Sequence, residues 1–99
     1  SVPTGDDVTL NPDTEIQTGD EIQWRFGAED TLIAEIKKET GEMTTHDGPD
    51  EIFKNSLELN KTTGSLTITF FEIQHTGLYT LKIRRGRKAL NKRFQVSVK

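Results

Sequence analysis

Residues Ser65 to Ile83 read SLTITFFEIQHTGLYTLKI, and this stretch decides the fold. Leu66, Ile68 and Phe70 alternate with polar neighbours, and so do Tyr79, Leu81 and Ile83. A period of two marks two half-buried strands. Between them Glu72 to His75 is long enough for one helical turn at most. His75, Gly77, Tyr79 and Leu81 fall at every second position across the turn and the second strand.

The same alternation runs outward in both directions. Val8 and Leu10 show it, then Ile22, Trp24 and Phe26, then Leu32, Ala34 and Ile36. Phe53, Leu57 and Leu59 continue it, and Phe94, Val96 and Val98 close the chain. With the two strands of the opening stretch this makes seven strands. The segments between them are rich in residues that tolerate tight turns: Thr18-Gly19-Asp20, Gly27 to Asp30, Thr40-Gly41, Asp47 to Asp50, Thr62 to Gly64 and Arg85-Gly86. An all-β antiparallel sandwich is predicted.

Composition sets the scale. A chain of 99 residues suffices for one domain spanning 1–99, burying roughly 60% of its unfolded surface. The hydrophobic fraction of 31% suits strands apolar on one face only. No apolar run approaches the roughly 20 residues that span a bilayer, so no membrane contact by this domain itself is expected. No leader pattern is visible, although the chain begins at Ser1 rather than Met and nothing about a leader follows. The absence of cysteine excludes disulfides, thiol nucleophiles and thiolate metal sites, and by habit favours a reducing compartment. Against that stands the sequon Asn60-Lys61-Thr62, a glycan acceptor in a secreted protein.

With these residues in place the chain resembles an immunoglobulin variable-type domain over almost its whole length. GDDVTL looks like strand B, IQWRF like strand C with its core Trp24, TLIAEI like strand C′, GSLTI like strand E, and HTGLYTL like strand F. Family strand F reads Asp-x-Gly-x-Tyr-x-Cys; here Gly77 and Tyr79 match, while His75 and Leu81 replace Asp and Cys. The strand B cysteine falls at Pro12, so the intersheet cross-link is missing. The resemblance implies sheets ABED and GFCC′C″, a core built on Trp24, Leu66, Tyr79 and Leu81, a tyrosine corner at Tyr79, and C″ near Glu42 to Thr45. Losing the bridge costs about 2–5 kcal/mol, offset only in part by Leu81. Within the variable set the chain is most similar to the membrane-distal domain of SLAM-family adhesion receptors and their T-cell relatives.

Charge is unevenly spread. From Ile73 to Lys99 there are eight Lys or Arg residues and no acid, so all sixteen acids precede Ile73, behind a net charge of −3. A basic tail suggests a polyanion, but no exposed aromatics interleave with the bases as nucleic-acid stacking requires, and no nucleic-acid partner is called for. The favoured reading pairs Lys82, Arg84 and Arg93 with Glu21 and Glu35 across strands. Alternation sends Glu21, Gln23, Arg25, Ile33, Glu35, Lys37, Leu78, Thr80, Lys82 and Arg84 outward from the sheet, with Arg93 beside them.

In the resembled family this sheet face meets its counterpart on another immunoglobulin-like domain. The implied function is therefore extracellular recognition or adhesion by the ectodomain of a cell-surface receptor, heterophilic or homophilic, with a weak homodimer as one form. The alternative is a structural immunoglobulin module of an intracellular filament or multidomain protein, favoured by the missing cysteines and disfavoured by C″ and the sequon. Enzymatic chemistry has no motif here. His46 and His75 are isolated, metal-ligand spacing is absent, and Thr62 to Ser65 lacks the lysine and helix of a phosphate loop. Neither cofactor nor metal is called for.

Overall fold

The computed structural model describes residues 2–37 and 40–99. Among these residues eight strands follow in order: β1 (Val8–Leu10), β2 (Glu21–Phe26), β3 (Thr31–Ile36), β4 (Met43–Thr45), β5 (Leu57–Leu59), β6 (Leu66–Ile68), β7 (Gly77–Arg85) and β8 (Lys88–Val96). They form two antiparallel sheets, β1-β6-β5 and β4-β3-β2-β7-β8. Each of the seven alternating runs contributes a strand, and β4 is the additional one expected between Glu42 and Thr45, but Phe53 and Phe70 lie outside β5 and β6: the backbone turns at Phe70 (φ 51°), which leaves that ring exposed and puts Phe71 in the core instead. The turn after β6 contains a short 3-10 segment, Ile73–His75.

The smaller sheet differs from the expected ABED set. Among the described residues it has three strands, and the N-terminal segment does not add a fourth. Val2 instead makes an isolated parallel bridge to Val98, its amide donating to the Ser97 carbonyl at 2.9 Å while the Lys99 amide donates back to Val2 at 2.7 Å. The chain therefore enters along the margin of the larger sheet.

The core lies between the sheets. Ile22, Trp24, Ile33, Leu66, Ile68, Tyr79 and Leu81 are fully buried. Trp24 packs its ring 5.5 Å from Phe94 and donates Nε1–H to the Gly64 carbonyl at 2.9 Å. That bond ties β2 to the turn leading into β6, so one side chain fills apolar space and joins both sheets. Tyr79 is equally buried, and its hydroxyl donates to the His75 carbonyl four residues upstream, the tyrosine-corner arrangement. Burial pushes the Tyr79 hydroxyl well above the usual phenol range. The ring leans on Phe26 at 4.9 Å, and Gly77 makes room for Phe26: a Cβ there would stand 3.0 Å from that ring.

His75, in the place of the family's Asp, is also buried. Its Nδ1 accepts from the Glu72 amide at 3.0 Å, its Nε2 bonds the Ile52 carbonyl at 2.7 Å, and its ring stacks on Phe53. The carbonyl partner requires the proton on Nε2 and the amide partner requires a lone pair on Nδ1. The ring thus braces the corner through hydrogen bonds and stacking. Leu81, where the family has its second cysteine, lies opposite Trp24 on one side and Lys92 on the other. Pro12, in the other cysteine's place, is buried two residues beyond the end of β1, and its carbonyl accepts from the Lys92 amine. A residue without an N–H suits a position where the ladder has already ended.

Trp24→Ala should lower the unfolding free energy by about 3–5 kcal/mol, read from urea midpoints. Tyr79→Phe, which leaves the buried His75 carbonyl unpaired, should cost about 1–3 kcal/mol. A Trp24→Ala midpoint equal to wild type would contradict this packing.

Candidate functional site

The larger sheet has one face on the core, and among the described residues nothing covers the other. Residues directly paired across antiparallel strands share a face, so the register composes the outer surface in rows. Glu21 lies opposite Arg84, which lies opposite Ala89. In the next row Gln23 stands between Glu35 and Lys82, followed by Asn91. Beyond it Arg25 stands between Leu32 and Thr80, followed by Arg93. Leu78 faces Gln95 in the last row.

Ten of the eleven sequence-predicted face residues therefore come together: Glu21, Gln23, Arg25, Glu35, Leu78, Thr80, Lys82, Arg84 and Arg93 on the sheet, and Lys37 one residue past β3. Ile33 does not. The β2–β3 register shifts between Trp24 and Arg25, where Trp24 pairs with Ala34 but Arg25 pairs with Leu32. Ile33 is the extra residue of this bulge and is fully buried beside Ala34. A bulge places two residues against one and breaks the alternation. Leu32 takes the row position expected of Ile33, and neither Leu32 nor Leu78 belongs to the core cluster.

The charges are distributed differently from the simple cross-strand scheme. Lys82 forms its ion pair with Asp30 in the β2–β3 turn, at 3.1 Å, rather than with Glu21 or Glu35. Arg25 spends its guanidinium on neighbours, donating to Gln23 Oε1 at 3.0 Å and to the Asp30 carbonyl at 2.8 Å. Lys37 sits 3.8 Å from Glu42 across the β3–β4 hairpin. Among the described residues Arg84, Arg93, Glu21 and Glu35 have no ion-pair partner. Two shallow hollows flank the Lys82–Asn91 pair: one of about 340 Å³ beside Glu21, Gln23 and Arg84, one of about 350 Å³ beside Leu78, Thr80 and Arg93.

Just above this face lies an ion pair that sequence reading missed. Arg85 Nε and Nη2 donate to the two carboxylate oxygens of Asp20, both at 2.8 Å, and Nη2 also reaches the Glu15 carbonyl at 2.9 Å. Asp20 is buried, and its Oδ2 further accepts from the Gln17 amide at 2.9 Å. The bidentate fork fixes the β1–β2 loop to the end of β7. Arg85 holds the Asp20 carboxyl below the usual carboxylate range, with the Gln17 amide adding to the effect against the opposing cost of burial. The partners are 65 positions apart, and only the turn signal at Thr18-Gly19-Asp20 pointed to that loop.

Asn60 stands in the β5–β6 turn, exposed, with Oδ1 accepting from the amides of Thr62 and Thr63 at 2.9 and 3.1 Å. The carbonyl oxygen is thereby occupied within the turn. This turn belongs to the smaller sheet, and Lys61 reaches from it toward Gly41 in the β3–β4 hairpin.

These features define an immunoglobulin-like variable-type sandwich without its intersheet disulfide. A model of the immunoglobulin V-set domain matches residues 1–99, and the chain belongs to that family. No curated protein matches at a significant level. Among solved structures, the CD2-binding domain of CD58 is 21% identical with a TM-score of 0.74, over 98% of this chain and 50% of that one. Murine CEACAM1b is 19% identical with a TM-score of 0.77, over 99% of this chain and 49% of that one. The human B7-H4 IgV-like domain is 19% identical with a TM-score of 0.71, over 97% of this chain and 88% of that one. The chain thus spans about half the length of the first two.

Asp20→Asn keeps the shape but removes the charge, and should lower stability by about 1.5–3 kcal/mol at pH 7. Because the folded carboxyl titrates below the unfolded one, its contribution is complete above the ordinary Asp range near 4 and disappears as pH falls through the folded value. The wild-type advantage over Asp20→Asn in urea titrations should therefore shrink steadily below about pH 4. An advantage independent of pH would contradict the Arg85 pairing.

Proposed function

We propose that this chain is the extracellular recognition domain of a leukocyte-type adhesion receptor, binding another immunoglobulin-like domain through the outer face of β3-β2-β7-β8. The observation that carries this reading is the uncovered sheet face. It presents Arg84, Arg93, Glu21 and Glu35 without ion-pair partners among the described residues, next to Leu32 and Leu78, which lie outside the core cluster. Charges left unmatched within the domain are available to a partner, where they set specificity and on-rate more than affinity. Two aliphatic side chains in such a surface suit a weak, selective contact. The CD2-binding domain of CD58 is among the solved structures similar to this chain, which supports a protein partner. The Asn60 sequon lies on the other sheet, so a glycan there leaves the face open, in keeping with the secretory route.

Arg84→Glu should weaken binding to receptor-bearing cells mainly through a slower on-rate, and the loss should diminish as salt is raised. Lys61→Glu, in the turn of the other sheet, is the control. Equal damage from both would assign the effect to overall charge and favour a polyanion ligand instead. Protein secreted from animal cells should carry a glycan at Asn60 that Thr62→Ala removes, read by mass spectrometry; an unmodified Asn60 would count against the secretory assignment.

A further inference from the structure

The tip of the β7–β8 hairpin carries four bases in five residues, Arg84, Arg85, Arg87 and Lys88 around Gly86, and no acid interrupts the hairpin. The four are not equivalent. Arg85 is engaged within the domain, its guanidinium on both carboxylate oxygens of Asp20 and on the Glu15 carbonyl. Arg84, Arg87 and Lys88 are exposed and have no ion-pair partner among the described residues, although Glu21 lies opposite Arg84 in the register. We propose that this tip binds a linear, heavily sulfated polysaccharide.

The register sets the three available bases around one ridge. Arg84 pairs with Ala89 on the outer face of the sheet, whereas Lys88 pairs with Arg85 on the side that Arg85 turns toward the β1–β2 loop. Arg87 stands at the crest, in the two-residue turn between the strands. A flexible anionic chain laid over the crest meets all three bases, while a compact anion reaches one or two. The tip is also held firmly. Nine consecutive pairs carry the ladder from Gly77–Val96 to Arg85–Lys88, the fork to Asp20 anchors its end, and Gly86 at φ 58° supplies the left-handed conformation of a tight hairpin turn. The bases are thus placed before the ligand arrives, which lowers the ordering cost of binding. A short basic run attracts polyanions through its local field even on a chain whose net charge is −3. Arg and Lys supply the charge-assisted donors that sulfate oxygens accept. Nucleic acid would add base stacking, and the tip has no platform for it: its exposed large apolar side chain is Leu90, while the exposed aromatic, Phe70, precedes β7 at the other end of the hairpin.

This ligand is additional to the protein partner proposed above, and Arg87 and Lys88 lie off the recognition face, so different residues test the two readings. Labelled heparin dodecasaccharide titrated with the domain from about 50 mM salt upward should bind, with log Kd rising linearly with log salt. The double variant Arg87→Ser/Lys88→Ser should bind about tenfold more weakly or worse, with a salt slope lower by about two. The double variant Lys54→Ser/Lys61→Ser removes the same net charge elsewhere and should keep Kd within about twofold of wild type. Urea midpoints near wild type confirm that both variants are folded. Heparin stripped of its sulfates should not bind, and oligothymidylate of matched charge should compete poorly. Absence of wild-type binding at the lowest salt, equal losses from the two double variants, or displacement by oligothymidylate as effective as by unlabelled heparin overturns the proposal.

Discussion

Everything in this domain depends on how two sheets are held together without a covalent link. In the immunoglobulin variable-type pattern a disulfide joins strands at the centre of the sandwich. Here the two positions are Pro12 and Leu81, and the joining passes to Trp24. Its ring fills the intersheet space beside Phe94, and its Nε1–H is bonded across the gap to the Gly64 carbonyl. Dispersion and burial supply the bulk of the attraction, and the one hydrogen bond makes it directional. Tyr79 and His75 extend this arrangement to one end of the sandwich, and the Asp20–Arg85 fork closes the other. Three groups of contacts thus stand along the length that one disulfide would have pinned at a point.

Rigidity at the centre has a functional consequence. β2 and β7 carry the core residues Ile22, Trp24, Tyr79, Leu81 and Ile83 on one face, and Gln23, Arg25, Thr80, Lys82 and Arg84 on the other. The same backbone that is fixed by burial sets the spacing of the outward side chains. Mutual constraint sharpens it further, since Arg25 is held by Gln23 and the Asp30 carbonyl and Lys82 by the Asp30 carboxylate. A face displayed in this way can recognise a partner at small entropic cost, because its strands are already ordered.

Much of this was legible in the sequence, and the reasons are local. The period of two in Ile22-Trp24-Phe26 and Tyr79-Leu81-Ile83 records directly which side of a strand is buried, and Gly77 and Tyr79 carry the corner within a short span. What escaped reading was non-local or broke the period. The bulge opposite Trp24 inverts Leu32 and Ile33, and nothing in TLIAEI marks it, because three apolar residues in succession fit either phase. Asp20 and Arg85, like Asp30 and Lys82, meet only because the sheets bring loop and strand ends together. The parallel bridge of Val2 to Val98 joins the two ends of the chain, where alternation has no reach.

Packing, hydrogen bonds and the Asp20–Arg85 fork, with no covalent link, should make β2 and β7 the most stable part of the fold. Native-state amide hydrogen exchange tests it residue by residue. The amides of Ile22, Trp24, Leu81 and Ile83 should exchange only through global unfolding, at a free energy equal to that from urea denaturation. Exchange of these amides by local opening, at a free energy well below the global value, would show that the sheet is not held at its centre.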